Sequence, residues 1–273
     1  MHPLDTAIAL TSAAPGQFSG QTSPAYWNMV GPFGGCTAAQ LLQAVLQHPD
    51  CQGEPVSLTV HFAAAQQDGP FTIQATPART NRSTQHWILA LLQPGADGQP
   101  QLVTTAMAVT AQRRKTWSAS DQPMPRVAPP SAYAQAQVAG DFKPPWLSRY
   151  EMRVIEGTMP QKWDGADHGS LTQLWLRDAP ARALDFPALA AMADVFFPRV
   201  WLRRARLVPA GTVALTVYFH ADSALLAATG KGHVLAQARG QGYRNGFFDH
   251  NAQLWSEAGD LLATSHQVVY FKE

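Results

Sequence analysis

A pair of glycines at the predicted start of a helix is the first feature of this sequence that could take part in chemistry. Gly34 and Gly35 follow Phe33 and precede a run of small and apolar residues that ends at Leu46. Glycines here let another backbone or a ligand approach closely, and the first N–H groups of a helix have no partner within it. Such amides, at the positive end of the helix dipole, can stabilise an oxyanion or a polarised carbonyl. The simpler alternative is that the glycines only permit a tight turn into the helix.

A lone aspartate in a second apolar stretch is the next candidate. Asp194 is the only acidic residue between Phe186 and Trp201, and alanine, valine and phenylalanine surround it. It either faces solvent or is buried with designated partners, because a buried carboxylate without partners costs much free energy. Burial would also raise its pKa toward the range in which a general base works best.

The elements that must position these residues occur twice along the chain. The segment 58–62 resembles 215–219, and 102–107 resembles 262–267 at nearly the same separation. A helical stretch precedes both pairs, Gly34 to Leu46 in the first half and Phe186 to Leu202 in the second. Three matches in the same order indicate an internal duplication.

Each half is predicted to contain one long helix and an antiparallel sheet. The predicted strands of the first half are 25–30, 56–63, 71–79, 85–93 and 102–112, and those of the second half are 150–156, 171–177, 212–220, 232–241, 246–255 and 261–272. Asp97-Gly98 and Gly259-Asp260 separate the last two strands of each half, where a hairpin turn requires a positive φ. The predicted fold class is α+β, with two tandem repeats in which the sheet wraps the helix.

A proline-rich stretch separates the two halves. Six prolines occur between Arg113 and Pro145, and prolines this dense prevent both helices and strand ladders. We therefore predict an N-terminal repeat at 1–115, a linker at 116–145 and a C-terminal repeat at 146–273.

Three short motifs give the sequence a specific resemblance. They are Phe33-Gly34-Gly35-x4-Gln40, the loop Arg79-x-Asn81-x-Ser83, and the ending Gly259-Asp260-Leu261-Leu262-Ala263-Thr264-Ser265-x-Gln267. In their order and spacing they resemble the acyl-CoA thioesterase II family. The resemblance implies a double hot-dog fold and hydrolysis of acyl-CoA to a free acid and CoA, without a metal or redox cofactor.

The resemblance also implies a set of residues that bind and orient the attacking water. Carried over to this sequence, they are Asp194, a hydroxyl at Thr212, and Gln267. The residues after Thr212 depart from the family pattern, so the hydroxyl is either Thr212 or Thr216. Thr212 and Thr216 would share one strand face by the two-residue period.

The duplication makes this set asymmetric. At the same separations, Asp194 pairs with Thr37, Thr212 with Pro55, and Gln267 with Met107, so the first half lacks all three groups. We expect one complete site per chain, in the second half, with the first half contributing its glycine helix start. The expected substrate-binding or oxyanion residues are Gly34, Gly35 and Cys36, and the expected CoA-binding residues are Arg79, Asn81 and Ser83.

Two rival functions are weighed against hydrolysis. A related hydratase would need an Asp-x4-His pair, but the residues four to six positions after Asp194 are Pro198, Arg199 and Val200, so the histidine is missing. A non-catalytic acyl-CoA-binding protein would not need the water-orienting set. The run Asp249-His250-Asn251 is interpreted as structural or solvated, because adjacent strand residues point to opposite faces.

Composition restricts the partners. Charged residues make up 14% of the chain and the net charge is +1, too weak a field to hold a polyanion, so nucleic acid is excluded as a partner. Two cysteines make neither a disulfide framework nor a zinc site, and no apolar run is long enough to span a membrane. We expect a cytoplasmic protein that binds acyl-CoA and associates into a homodimer or higher homo-oligomer.

Overall fold

The computed structural model describes residues 1–136 and 143–273, in two compact units. The first unit contains residues 1–117, 143–149 and 185–192, and the second contains 118–136, 150–184 and 193–273. Residues 137–142, which belong to the predicted linker, lie outside the described residues. The predicted boundaries 1–115, 116–145 and 146–273 stay predictions.

Five α-helices and twelve β-strands make up the regular structure of the described residues. The helices are α1 (Pro3–Ala7), α2 (Gly34–Leu46), α3 (Phe186–Met192), α4 (Arg199–Arg204) and α5 (Ser223–Thr229). The strands are β1 (Thr11–Ala14), β2 (Gln17–Gln21), β3 (Glu54–Phe62), β4 (Pro70–Thr80), β5 (Thr84–Pro94), β6 (Pro100–Ala111), β7 (Tyr150–Glu156), β8 (Thr172–Asp178), β9 (Ala210–Phe219), β10 (Val234–Arg244), β11 (Phe247–Ser256) and β12 (Leu261–Phe271).

The first unit is an antiparallel sheet with a buried helix. Its strand order is β1-β2-β4-β5-β6-β3, and ten of the thirteen residues of α2 are buried. Helix α2 also packs against α3, and Gly35 lies at the point of closest approach. A Cβ atom at this position would lie 2.5 Å from the carbonyl oxygen of Ala191, so only glycine fits there.

The second unit repeats the antiparallel sheet but not the long helix. Its strand order is β9-β12-β11-β10-β8-β7. The prediction of one helix from Phe186 to Leu202 is wrong, because α3 ends at Met192 and α4 begins only at Arg199. Pro198 lies between them: it has no N–H to donate, and it disfavours helical geometry at the preceding residue.

The two sheets have the same strand register, including the same irregularity. Leu58 lies opposite Ala108 in the first sheet, and Leu215 lies opposite Gln267 in the second. Toward the start of both strands the pairing slips by one residue, which leaves Val56 and Val213 as the extra residues of equivalent β-bulges. This common register supports the duplication inferred from the sequence.

The proline-rich segment is packed onto the second unit between residues 118 and 136. Two buried tryptophans hold it: Trp175 Nε1 donates to the Ala128 carbonyl at 3.0 Å, and Trp255 Nε1 donates to the Gln122 carbonyl at 3.0 Å. The side chains of Met124, Val127 and Tyr133 cover the cluster that the two tryptophans form with Leu235. Apart from a short 3-10 helix at Pro130–Ala132, this segment is irregular, and side chains of the second unit fix it.

The N-terminal region differs from the prediction. The expected strand at 25–30 is a short 3-10 helix at Pro24–Tyr26, because the proline fixes φ at a helical value. Strands β1 and β2, with their mostly exposed and polar residues, were not predicted, since they lack the alternation that marks a half-buried strand.

Ion pairs at the edge of the second sheet surround one carboxylate. Glu151 on β7 accepts hydrogen bonds from Arg153 and Arg177, and its Oε1 lies 3.1 Å from His233 Nε2. These neighbours lower the pKa of Glu151 to about 2 from its ordinary 4.5, against the opposing effect of burial. The side chain is 14% exposed, so solvent screens the cluster only in part.

Replacing Glu151 by glutamine should therefore destabilise the protein in a pH-dependent way. A pKa below the ordinary value stabilises the fold above about pH 4.5, and this contribution is lost as the pH falls toward 2. We expect Glu151→Gln to lower the free energy of unfolding by about 1–3 kcal/mol at pH 7 and by much less near pH 3, measured by urea denaturation. Glu54→Gln is the control, since the Glu54 side chain is 26% exposed, so solvent screens its pair with Arg113 more strongly and the pair should contribute under ~1 kcal/mol. An equal loss at both pH values would show that the charge of Glu151 does not stabilise the fold.

Candidate active site

The amide of Gln267 connects the three residues that the sequence predicts as the water-orienting set. Gln267 Nε2 donates to Asp194 Oδ1 at 2.7 Å, and Thr212 Oγ1 donates to Gln267 Oε1 at 3.2 Å. The Gln267 side chain is 2% exposed. Because a carboxylate only accepts hydrogen bonds, Asp194 requires the NH2 end of the amide, which leaves the oxygen for Thr212. The hydrogen bonds thus fix the orientation of the amide.

The β-bulge at Val213 decides which threonine joins this chain of hydrogen bonds. Thr212 lies opposite Val269, and Leu215 lies opposite Gln267, so all four side chains point to the buried face. Without the extra residue, the two-residue period would turn Thr212 outward. Thr216 lies opposite His266 on the other face, so the expectation that Thr212 and Thr216 share a face is wrong.

The position of Asp194 follows from the interruption of the predicted helix. Asp194 lies in the turn after α3, not within a helix, and it is partly exposed. Ser265 Oγ, two residues before Gln267 on β12, lies 3.3 Å from the carbonyl oxygen of Ala193. Two side chains of one strand face therefore fix the turn that presents the carboxylate.

The equivalent positions of the first repeat carry no such group. The register makes Ala108 the counterpart of Gln267, whereas the separation along the sequence gave Met107; Met107 is 61% exposed and lies on the other face. Pro55 takes the place of Thr212 beside the equivalent bulge. Thr37 lies inside α2, where its hydroxyl donates to Gln66 Oε1 at 3.1 Å.

The glycine helix start belongs to the first unit. Gly34 opens α2, and the next residue, Gly35, provides the close backbone approach described above. The amide of Cys36 donates to the Phe33 carbonyl at 2.9 Å, so it is engaged within the helix. Burial raises the pKa of the Cys36 thiol to about 12, which keeps it protonated at neutral pH.

The expected CoA-binding residues form the exposed tip of the β4–β5 hairpin. Arg79 Nε donates to Asn81 Oδ1 at 3.1 Å, and Asn81 Nδ2 donates to Thr84 Oγ1 at 3.1 Å. The backbone carbonyl of Ser83 accepts from the amide of Gln112 at 3.0 Å. The hairpin tip is therefore an ordered and positively charged loop.

Three arginines that follow Pro198 are engaged within the second unit. Arg203 pairs with Asp167, and Arg204 pairs with Glu273. Arg199 is fully buried; its Nε donates to the Phe197 carbonyl at 2.9 Å and its Nη1 donates to Thr172 Oγ1 at 2.5 Å.

One polar residue next to the site was not among the predicted site residues. His250 on β11 lies directly opposite Gln267 and is 1% exposed, so of the two predicted alternatives, structural or solvated, the solvated one is wrong for this residue. The alternation of its strand was the available signal, since it places His250 on the same face as Phe248 and Ala252, both buried.

Two further findings concern metals and membranes. Within residues 1–136 and 143–273, no group of three or more His, Cys, Asp or Glu side chains is arranged to hold a metal ion. In the same part of the chain, no helix combines the length and apolar character needed to cross a membrane.

Solved structures with similar backbones define the fold class as hot-dog. A conserved hot-dog protein of unknown function from Alicyclobacillus acidocaldarius is 44% identical, with a TM-score of 0.92, and the match covers 100% of this chain and 99% of the other. A Mycobacterium marinum protein described as the acyl-CoA thioesterase II TesB2 is 15% identical, with a TM-score of 0.77 and 98% of both chains covered. The tesB protein of Mycobacterium avium subsp. paratuberculosis is 18% identical, with a TM-score of 0.78 and coverage of 99% and 98%.

Family models identify the chain more narrowly. Residues 23–111 match the acyl-CoA thioesterase N-terminal domain, and residues 125–271 match the acyl-CoA thioesterase C-terminal domain. The chain belongs to the acyl-CoA thioesterase II family. No curated protein matches it significantly.

The geometry of the bulge leads to a double-mutant test. Thr212→Val and Gln267→Leu remove two ends of one hydrogen bond, so their effects on stability should not add. We expect a coupling free energy of about 0.5–3 kcal/mol between them, measured by urea denaturation of both single variants and the double variant. Thr216→Val combined with Gln267→Leu is the control and should be additive within ~0.5 kcal/mol, because Thr216 lies on the other face. Equal coupling in both pairs would contradict the assignment of Thr212 to the buried face.

Proposed function

We propose that this protein hydrolyses acyl-CoA thioesters to a free carboxylic acid and CoA. The observation that carries the proposal is the hydrogen-bonded chain from Thr212 through Gln267 to Asp194. It combines one carboxylate, one fixed amide and one hydroxyl in a largely buried place on the inner sheet face. Membership of the acyl-CoA thioesterase II family supports the same reaction.

In the proposed mechanism, Asp194 is the general base. A water molecule held by Asp194 and Gln267 attacks the thioester carbonyl carbon, and Asp194 accepts its proton as the new C–O bond forms. The tetrahedral intermediate then collapses, the C–S bond breaks, and the leaving CoA sulfur takes the proton from Asp194, which restores the carboxylate. The proposed steps need no metal ion or redox group.

Thr212 and Gln267 act by positioning the reacting groups. Thr212 holds the oxygen of the Gln267 amide, so that the NH2 group is presented to Asp194. Because a neutral amide cannot accept a proton near pH 7, the roles of base and positioning group divide clearly between Asp194 and Gln267. Placing a reactant with fixed groups lowers the barrier by reducing the entropy lost in the reaction step.

The family resemblance is the basis for the proposed substrate contacts. We propose that the helix start at Gly34 and Gly35 interacts with the thioester group and that the Arg79, Asn81 and Ser83 loop binds CoA. Arginine and asparagine on an exposed loop are suited to phosphate groups. Association into a homodimer or higher oligomer stays a prediction from the low charge of the chain.

Release of free thiol from a panel of acyl-CoA esters of different chain length tests the proposal. We expect turnover of at least one ester, detected with a chromogenic thiol reagent. If the protein binds an ester but releases no thiol from any of them, it is a binding protein and not a thioesterase.

The proposed base gives a specific prediction. Asp194→Asn retains an oxygen that can accept the hydrogen bond from Gln267, but it cannot take up a proton. We expect the variant to fold normally, to bind acyl-CoA, and to hydrolyse it at least about 100-fold more slowly, because a general base contributes about 10²- to 10⁴-fold.

Asp249→Asn is the matched control for this measurement. Asp249 is also on the second unit, but on the outer face of β11, where it contacts His266 at 2.8 Å. It should retain most of the wild-type kcat. A well-folded Asp194→Asn protein with more than about a tenth of the wild-type kcat would exclude Asp194 as the base.

A further inference from the structure

His250 extends the polar side of the site by one strand. It lies between Gln267 on β12 and Gly240 on β10 in the register of the sheet. Gln267 and His250 are 2% and 1% exposed and point to the same face. Side chains directly opposite each other on neighbouring strands have Cβ atoms about 5 Å apart, so the imidazole adjoins the proposed water site.

The hydrogen-bonding capacity of this imidazole is not used by the protein. Among the described residues, neither Nδ1 nor Nε2 of His250 has a hydrogen-bond partner. Its ring neighbours are aromatic, with Phe248 at 6.3 Å and Phe196 at 6.4 Å between ring centroids. A buried polar atom without a partner costs free energy, so an apolar residue would serve packing better here.

The first repeat provides an internal comparison. Gln267 corresponds to Ala108, and the residue opposite Ala108 on the neighbouring strand is Trp87. Trp87 is equally buried, and its Nε1 donates to Thr110 Oγ1 at 3.3 Å. The sheet therefore packs well with an aromatic residue at this position, and the fold does not require histidine.

The charge state of His250 restricts what it can bind. Burial, and then the nearby Arg199 and His266, lower the pKa of His250 to about 3, while Asp249 acts weakly in the opposite direction. At neutral pH the ring therefore has one donor and one acceptor nitrogen and no charge. A hydroxyl group, which also both donates and accepts, is the complementary partner.

We propose that His250 is a specificity residue that hydrogen-bonds a hydroxyl group on the acyl chain of the substrate. This inference rests on the proposed thioesterase function. His250 lies about one strand spacing, ~4.8 Å, along the sheet from Gln267, so an acyl chain that runs from a thioester carbonyl at Gln267 toward β11 would bring its first carbons to His250. An unsubstituted hydrocarbon chain would leave both ring nitrogens unsatisfied, and a chain with a hydroxyl at C3 would satisfy at least one.

Matched substrates test this proposal. Butyryl-CoA and 3-hydroxybutyryl-CoA differ by one hydroxyl group, so the ratio of their kcat/KM values isolates its recognition. We expect the wild-type protein to prefer 3-hydroxybutyryl-CoA by about 10- to 100-fold, the range for one buried hydrogen bond that would otherwise be unmade. His250→Leu should reduce the ratio to about 1, mainly through lower kcat/KM for the hydroxylated ester. His250→Gln retains a donor and an acceptor and should keep part of the preference.

Two further variants control the result. His48→Leu removes another buried histidine, from the first repeat, and should leave the ratio unchanged. If His250→Leu does not fold, as judged by thermal unfolding, His250→Phe provides the same loss of hydrogen bonding with an aromatic ring.

The outcomes separate this inference from the proposed function. The specificity role would be overturned by thiol release from both esters without preference, or by an unchanged ratio in a folded His250→Leu or His250→Phe variant. Either result would leave the proposed thioesterase function intact. If neither ester releases thiol, the affinities of the protein for the same two esters, measured by calorimetry, show whether His250 recognises the hydroxyl group. Tighter binding of 3-hydroxybutyryl-CoA that is lost in the variant supports the role of His250, and equal affinities overturn it.

Discussion

The hydrogen-bonding requirements of one buried amide determine the arrangement of the site. Gln267 has a donor end and an acceptor end, and its side chain is buried. Asp194 satisfies the first and Thr212 the second. The partners come from the turn after α3 and from β9, so one side chain on β12 holds both segments. A shift of any of the three would leave a buried polar group unpaired.

Two local departures from regular structure make these hydrogen bonds possible. The bulge at Val213 turns Thr212 to the buried face, and the end of α3 at Met192 releases Asp194 from helical geometry. Ser265 then fixes the turn through the carbonyl of Ala193. A regular strand would turn Thr212 to the other face, so the proposed site depends on these irregular positions.

Much of this architecture could be predicted from the sequence, and the failures have physical causes. The duplication, ten strands near their observed positions and the helix from Gly34 to Leu46 follow from local patterns of apolar residues. The bulge does not, because valine and alanine at 213 and 214 fit either side of a sheet. The break between α3 and α4 has a signal in the sequence, since Pro198 disfavours helical geometry at the preceding residue. Packing of residues 118–136 depends on Trp175 and Trp255, which are distant in sequence, and the burial of His250 depends on the face to which its strand is assigned.

The bulge also bears on how the two repeats diverged. An extra residue at the same register position, Val56 in one repeat and Val213 in the other, is explained by a single insertion that both inherited. The irregular backbone is then older than the duplication, and the ancestor with one repeat already turned the preceding side chain inward. The first repeat has kept this inherited backbone and holds Pro55 and Ala108 where the second holds Thr212 and Gln267. Strands β3 and β6 are thus paired like β9 and β12, and the repeats differ there in the residues that occupy the same positions.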